Sequence, residues 1–308
     1  MAWTNQDLPA QTGRVVAITG GNSGIGFEAA KALVNRGARV LLACRNEASA
    51  GEACAKLAED DPSGTAEFVH LDLASLASVR ACAEELKRRC GGRLDVLINN
   101  AGVMAIPRRE TEDGFETQFG VNHLGHFALT ALIYPLLLQA AGARVVTVAS
   151  LAHNFGFINF QNLHGRFFYE PWLAYGQTKL ANLLFAYEFD RRLRAADRDI
   201  ASVACHPGIA ATNLGYAGPR MLGSAFGETL VQLYTSVVAQ SAEAGALPTL
   251  YAGFAPEASG GDYIGPDGLG EMRGSPRKVS SSLLSRSQAM ARQLWQVSEE
   301  AVGVTFAV

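Results

Sequence analysis

Short continuous runs of aliphatic and β-branched residues alternate along the chain with longer segments in which apolar positions recur every three or four residues. The short runs fall at 14–19, 39–44, 66–71, 94–98, 143–148, 200–205 and, last and briefest, 261–264. A run without polar alternation suits a strand buried on both faces, as in a parallel sheet covered by helices. The periodic segments predict helices. The first carries Ile25, Ala29, Ala32 and Leu33 and closes at Gly37; others span 76–89, 115–138 and 180–193. This alternation predicts an α/β fold in one domain over 1–308, a doubly wound (Rossmann) parallel sheet of about seven strands with helices on both faces.

Three further segments qualify that outline. The most apolar helical stretch, 128–143, is interrupted by Pro135 and is shorter than a bilayer span, so it reads as a buried helix. Residues 153–171 carry five phenylalanines and read as a substrate-side excursion or flap. Glycines, Pro219 and the apolar Met221, Leu222 and Phe226 predict a lid over an apolar substrate at about 209–229. A terminal helix is expected at about 282–300.

Composition narrows the function classes. Of 308 residues, 48% are hydrophobic and 18% charged, less than the usual quarter, which permits a large core. With a net charge of −3 and no basic cluster, nucleic acid is not an expected partner. Five scattered cysteines contain no Cys-x-x-Cys pair, so neither a disulfide framework nor a metal site is expected, and a reducing cytoplasm fits. The N-terminus has no basic flank and no apolar run, hence no signal peptide and no transmembrane anchor is expected.

The candidate chemistry gathers at strand ends. The first run enters Gly20-Gly21-Asn22-Ser23-Gly24-Ile25-Gly26, and a helix follows. Strand, glycine turn and helix are what a dinucleotide pyrophosphate needs. Gly20 lets the chain turn, Gly24 lets the backbone approach phosphates, and Gly26 lets helix pack on strand. Asn22, Ser23 and Ile25 join them as cofactor-binding candidates. At the end of the second strand stand Cys44 and Arg45. No carboxylate is there to repel a 2′-phosphate, and Arg45 could bind one with forked geometry. NADP(H) is therefore the preferred cofactor, NAD(H) the second choice.

Asp72-Leu73 follows the third strand; Asp72 either meets the adenine amino group or caps the helix starting near Ser75. Asn99-Asn100-Ala101-Gly102 ends the fourth strand, where two amides and a glycine can tie strands together or line a ribose. Asn122 is a weak helix former among Phe119, Val121 and Leu124, which invites a reason for it. Ser150 ends the fifth strand on the edge that carries the glycine turn. Tyr175 and Lys179 share a helical face at four residues' spacing. An ammonium beside a phenol favours the phenolate; bringing that pKa near 7 takes about 4 kcal/mol of differential stabilisation. Such a pair can exchange a proton with an alcohol or carbonyl.

With Pro207-Gly208 behind the sixth strand, these motifs stand in the order found in the short-chain dehydrogenase/reductase family, which the chain resembles over about residues 12–300. Ala43-Cys-Arg-Asn46, Ala149-Ser-Leu-Ala-His153 and Leu294-Trp295 resemble its retinol dehydrogenase branch, itself similar to protochlorophyllide reductase. The resemblance implies Tyr175 as acid/base and Lys179 on the nicotinamide ribose, lowering the tyrosine pKa. It implies Ser150 on the substrate oxygen and Asn122 holding a proton-relay water. Asn100 and Ala101 would line the cofactor, and Ile209 and Thr212 would meet the carboxamide. The implied reaction interconverts a lipophilic alcohol with its aldehyde or ketone. A non-catalytic NADP(H)-sensing protein and a carbon–carbon double-bond reductase are the alternatives. Relatives pair as homo-oligomers through a helix-pair interface, which the long gap from Ser150 to Tyr175 could disturb. Membrane-bound members of the branch carry an anchor that this N-terminus lacks.

Overall fold

The computed structural model describes residues 2–59, 62–210 and 240–308. Its frame is one sheet of eight strands: Val15–Thr19 (β1), Arg39–Cys44 (β2), Thr65–His70 (β3), Val96–Asn99 (β4), Ala143–Val148 (β5), Ile200–Cys205 (β6), Tyr263–Pro266 (β7) and Pro276–Lys278 (β8). Their order is β3-β2-β1-β4-β5-β6-β7-β8, parallel throughout except for β8, which runs antiparallel to β7 with Ile264 opposite Lys278. The sequence reading expects seven strands. The eighth has three residues and no apolar pattern, and is made by backbone pairing at the sheet edge. Proline and lysine there blunt an otherwise open edge.

Both faces of the sheet are dry. Along β1, Val15 and Ala17 enter one apolar cluster while Val16 and Ile18 enter the other, the period-two alternation of a strand. The first cluster is completed by Leu76–Arg89 (α3), Gly125–Leu137 (α4), Pro171–Ala195 (α5) and Gln288–Val302 (α7). The second is completed by Gly24–Asn35 (α1), Glu47–Ala58 (α2) and Ala242–Phe254 (α6). Connections from β1 lead to β2 on one side, and β4 pairs on the other. The switch between them opens a crevice at the carboxyl edge, where open α/β sheets bind ligands.

Two helix expectations need correction. The helix expected over 115–138 runs without a break from Thr117 to Leu137 but starts later and carries a π-helical turn at Gly120–Leu124 before α4. Pro135 does not interrupt α4, which continues to Leu137. It sits in the last turn, where the missing N–H removes one bond near an end already closing. The terminal helix begins later than expected, because Ser287 caps α7 by accepting from Met290 N after a short 3₁₀ turn, Leu284–Arg286.

The outer face of α4 and α5 is roofed. Trp295 from α7 lies edge-on to Phe127 and stacks on Phe185, and Phe306 from the tail stacks on Trp295 at 4.9 Å. The Arg192 guanidinium lies 4.3 Å from the Trp295 ring. No helix among the described residues is long and apolar enough to cross a membrane. The expected lid, about 209–229, lies outside the described residues from 211 onward, and Thr212 with it.

Candidate active site

The glycine turn sits where β1 meets α1. Gly20 has φ +67°, a left-handed conformation that glycine adopts without strain. Gly26 faces the turn rather than the strand: a Cβ there would lie 2.5 Å from the Gly20 carbonyl oxygen and 2.6 Å from Asn100 Nδ2. The N-terminus of α1 is left open. Asn46, Ser75, Glu170, Ser241 and Ser287 each cap their helices by a side-chain bond, whereas Ser23 makes none. Unpaired N–H groups and the positive end of the helix dipole at the carboxyl edge fit a pyrophosphate. Asn22 is engaged elsewhere, its amide donating to Ser49 Oγ at 2.9 Å and pinning the turn to α2. Arg45 follows β2 and is exposed, with no ion pair among the described residues.

Several candidates prove to hold the edge together. Asn99 turns its side chain inward to Thr130 Oγ1 (3.1 Å) and is buried, not directed at the edge. Asn100 Nδ2 donates to the Thr19 carbonyl at 2.9 Å, and the Asn100 and Ala101 N–H groups donate to Thr19 Oγ1, each at 2.9 Å. Of the two readings of Asp72, the cap is excluded: Ser75 caps α3, and Asp72 Oδ1 accepts from Ala74 N. Leu73 is buried, its side chain within reach of Gly125. Both backbone groups of Ile209 have partners, its N–H on the Met272 carbonyl (2.8 Å) and its carbonyl on Gln240 N (2.8 Å). Gln240 also donates to the Pro207 carbonyl at 2.7 Å. Ile209 thus has no free N–H to offer a ligand.

The four chemical candidates converge at the ends of β5, α4 and α5. Asn122 lies in the π turn, fully buried; its Oδ1 accepts from Val103 N (2.8 Å) and its Nδ2 donates to Thr178 Oγ1 (3.0 Å). That explains an asparagine inside an apolar helix: it latches the loop after β4 to α5. Gly102 follows the same path, close under Asn122 Oδ1 and Lys179 Nζ. Ser150 begins a 3₁₀ turn, and its hydroxyl faces that of Tyr175, favouring the phenolate. Tyr175 and Lys179 share a face of α5, as the spacing predicts. The ammonium lies 5.6 Å from the Tyr175 ring centroid and donates to the Val148 carbonyl at 3.1 Å.

The expected electrostatics differ. Burial pushes Tyr175 up to about 12, with Ser150 pulling weakly the other way, and pushes Lys179 down to about 8. Burial dominates at both groups, and the Lys179 ammonium is turned to the Val148 carbonyl. Tyr175 is therefore a proton donor at neutral pH.

Two neighbours escaped the sequence reading. Trp172 is half-exposed and meets Tyr175 edge-on at 6.3 Å; its signal was the three-residue spacing at the start of α5. His126 is buried one turn after Asn122 and contacts both Thr19 and Asn122. The phenylalanine-rich excursion packs against α5. It wraps the first turns of α5, held by Gln177 to Asn159 and Leu163, and encloses a cavity lined by Phe155, Phe157, Phe168 and Leu173.

A buried phenol and ammonium and a half-buried hydroxyl, set on the same carboxyl edge of a doubly wound sheet as an uncapped helix N-terminus, define a nucleotide-dependent oxidoreductase. The chain belongs to the short chain dehydrogenase family, whose sequence profile matches residues 14–218. Mouse retinol dehydrogenase 14 is 40% identical over 304 residues, spanning 95% of this chain and 86% of that protein. Mouse polyprenol dehydrogenase is 40% identical over 294 residues, spanning 94% and 83%. A solved structure from Mycobacterium paratuberculosis superposes with a TM-score of 0.82 at 39% identity and covers both chains fully. The chain is thus an oxidoreductase acting on CH–OH donors, in the retinol dehydrogenase-like branch of a family that binds NAD(P).

Proposed function

We propose that the protein interconverts a lipophilic alcohol and its aldehyde or ketone with NADP(H), using Tyr175 as the acid/base. The observation that carries this is the meeting of Ser150, Tyr175 and Lys179 beside the open N-terminus of α1. The nicotinamide supplies or takes the hydride when bound. The chain's own part is positional and protic. In the reductive direction Tyr175 keeps its proton at neutral pH and delivers it to the substrate oxygen. Ser150 stabilises charge developing on that oxygen. Lys179, its ammonium 5.6 Å from the Tyr175 ring, would hold a ribose hydroxyl of the nucleotide.

Arg45 supports the choice of NADP(H), being an exposed fork at the end of β2 with no acid beside it. The family's retinol and polyprenol dehydrogenases support an apolar alcohol. The five unpaired cysteines support a cytoplasmic setting. The test is NADPH oxidation over a panel of carbonyls, apolar aldehydes included, with Tyr175→Phe alongside. The variant is expected to bind NADPH, followed by nucleotide fluorescence, and to lose turnover. Retained turnover would remove Tyr175 from the chemistry, and a wild-type protein that binds NADPH but reduces no carbonyl would point to a sensor.

A further inference from the structure

We propose that His126 is a positioning residue that locks the glycine turn to Asn122 through a single ring tautomer. The proposal rests on the nucleotide-dependent reading of the site. Thr19 Oγ1 accepts two backbone N–H bonds, from Asn100 and Ala101, each at 2.9 Å. Its own single proton remains to be placed. The two acceptors in reach are His126 Nε2 at 2.8 Å and the Ile98 carbonyl at 3.4 Å. The shorter contact is the better bond, at the ordinary length for a hydroxyl donor, whereas 3.4 Å is beyond it. His126 Nε2 is thus an unprotonated acceptor.

A neutral imidazole with a bare Nε2 carries its proton on Nδ1. Nδ1 lies 3.1 Å from the Asn122 carbonyl oxygen, which can only accept. The ring is therefore polarised in one direction, from the Asn100 and Ala101 amides through Thr19 and His126 to Asn122. It stays neutral, since it is buried and the nearby Lys179 ammonium opposes a second charge.

The consequence concerns three segments far apart in sequence. Thr19 ends β1 and begins the glycine turn; Asn100 and Ala101 begin the loop after β4; Asn122 forms the π turn whose side chain latches that loop to α5. One ring fixes the distance between them. Because the π turn departs from the α-helical pattern, the direction of the Asn122 carbonyl is set partly by the side chain below it. His126 touches no reacting atom, and its effect passes through Thr19 on one side and Asn122 on the other.

Two isosteres separate the sides. In His126→Asn the amide nitrogen replaces Nδ1 and keeps the bond to Asn122, but Thr19 loses its acceptor. In His126→Gln the amide oxygen replaces Nε2 and keeps the Thr19 bond, but Asn122 is released. Losing one buried hydrogen bond is worth about tenfold in an equilibrium or rate constant. Expected, then, is an NADPH Kd raised about tenfold in His126→Asn with kcat nearly unchanged, and the opposite split in His126→Gln. Kinetics use whichever carbonyl the wild-type protein reduces fastest.

The wild-type protein gives a second measurement independent of turnover. With ¹⁵N-labelled histidine, long-range ¹H–¹⁵N spectra should assign His126 as the Nδ1–H form. An Nε2–H ring, or parallel loss of Kd and kcat in both isosteres, overturns the proposal. If either variant fails to fold, the tautomer decides alone. A wild-type protein without nucleotide affinity would instead sink the functional reading, and the ring assignment would still stand or fall by itself.

Discussion

Acidification from about pH 8 to about pH 5 should weaken the fold through His123, and the size of the effect can be worked from its surroundings. The ring lies 5.2 Å from Phe119, 6.2 Å from Phe127 and 6.3 Å from Phe185, centroid to centroid. Its Nε2 donates to Ser298 Oγ at 2.8 Å, since the serine's own proton goes to the Leu294 carbonyl at 2.7 Å. The polar groups facing it are Asn182 from α5, Ser298 from α7 and His126 from α4, and no carboxylate is among them. Burial accordingly pushes its pKa down to about 3.

A lowered pKa on a basic group means that the folded state holds the neutral form. The unfolded chain, titrating near 6.5, binds the proton first, so stability is complete above that value and is lost as the pH falls toward 3. At pH 5 the unfolded imidazole is about 1.5 units below its pKa, which amounts to about 2 kcal/mol favouring unfolding. His123→Gln keeps a donor for Ser298 and cannot titrate. Urea unfolding of both proteins at both pH values isolates the contribution, because the other titrating groups are common to the pair. The variant should lose about 2 kcal/mol less than the wild-type protein on acidification. Equal losses would mean that His123 is not held neutral, and the account of its burial would be wrong.

Three other outcomes follow from the same structure. Gly26→Ala should weaken NADPH binding by about tenfold or more, read by fluorescence titration, because its Cβ would push against the Gly20 carbonyl and the Asn100 amide. Arg45→Ala should lower the ratio of NADPH to NADH affinity by about tenfold, measured by parallel titrations; an unchanged ratio would remove Arg45 from cofactor choice. Trp295→Ala should destabilise the protein by about 3–5 kcal/mol in denaturant unfolding, since it empties the space between Phe127, Phe185 and Phe306.

Much of the fold was legible because a doubly wound sheet writes itself in the chain. Strands buried on both faces are read from their apolar runs, as in β1, β2, β4, β5 and β6, while β3, at the edge, carries Glu67 and is part-exposed. The eighth was hidden because Pro276–Lys278 is recruited by backbone bonds to β7, which leave no trace in side-chain pattern. The site was legible as a set of positions but less so as a set of roles. Asn22, Asn99 and Ile209 each look available in sequence, yet the side-chain amide nitrogens of Asn22 and Asn99 and both backbone groups of Ile209 are bonded to partners distant in the chain. Order along a chain says which groups reach the carboxyl edge; it does not say which are already bonded. The Tyr175–Lys179 pair was legible as a spacing and not as an electrostatic balance. Spacing placed the two correctly, but the effect of one charge on the other depends on which way the ammonium points and on how dry the surroundings are.

The roof over α4 and α5 has a bearing on how copies of this chain can meet. This chain has seated its own last helix and tail over those two helices. A second subunit would find Trp295 and Phe306 turned inward and the polar back of α7 facing it. On this side residues 288–308 cover the apolar face from within the same chain.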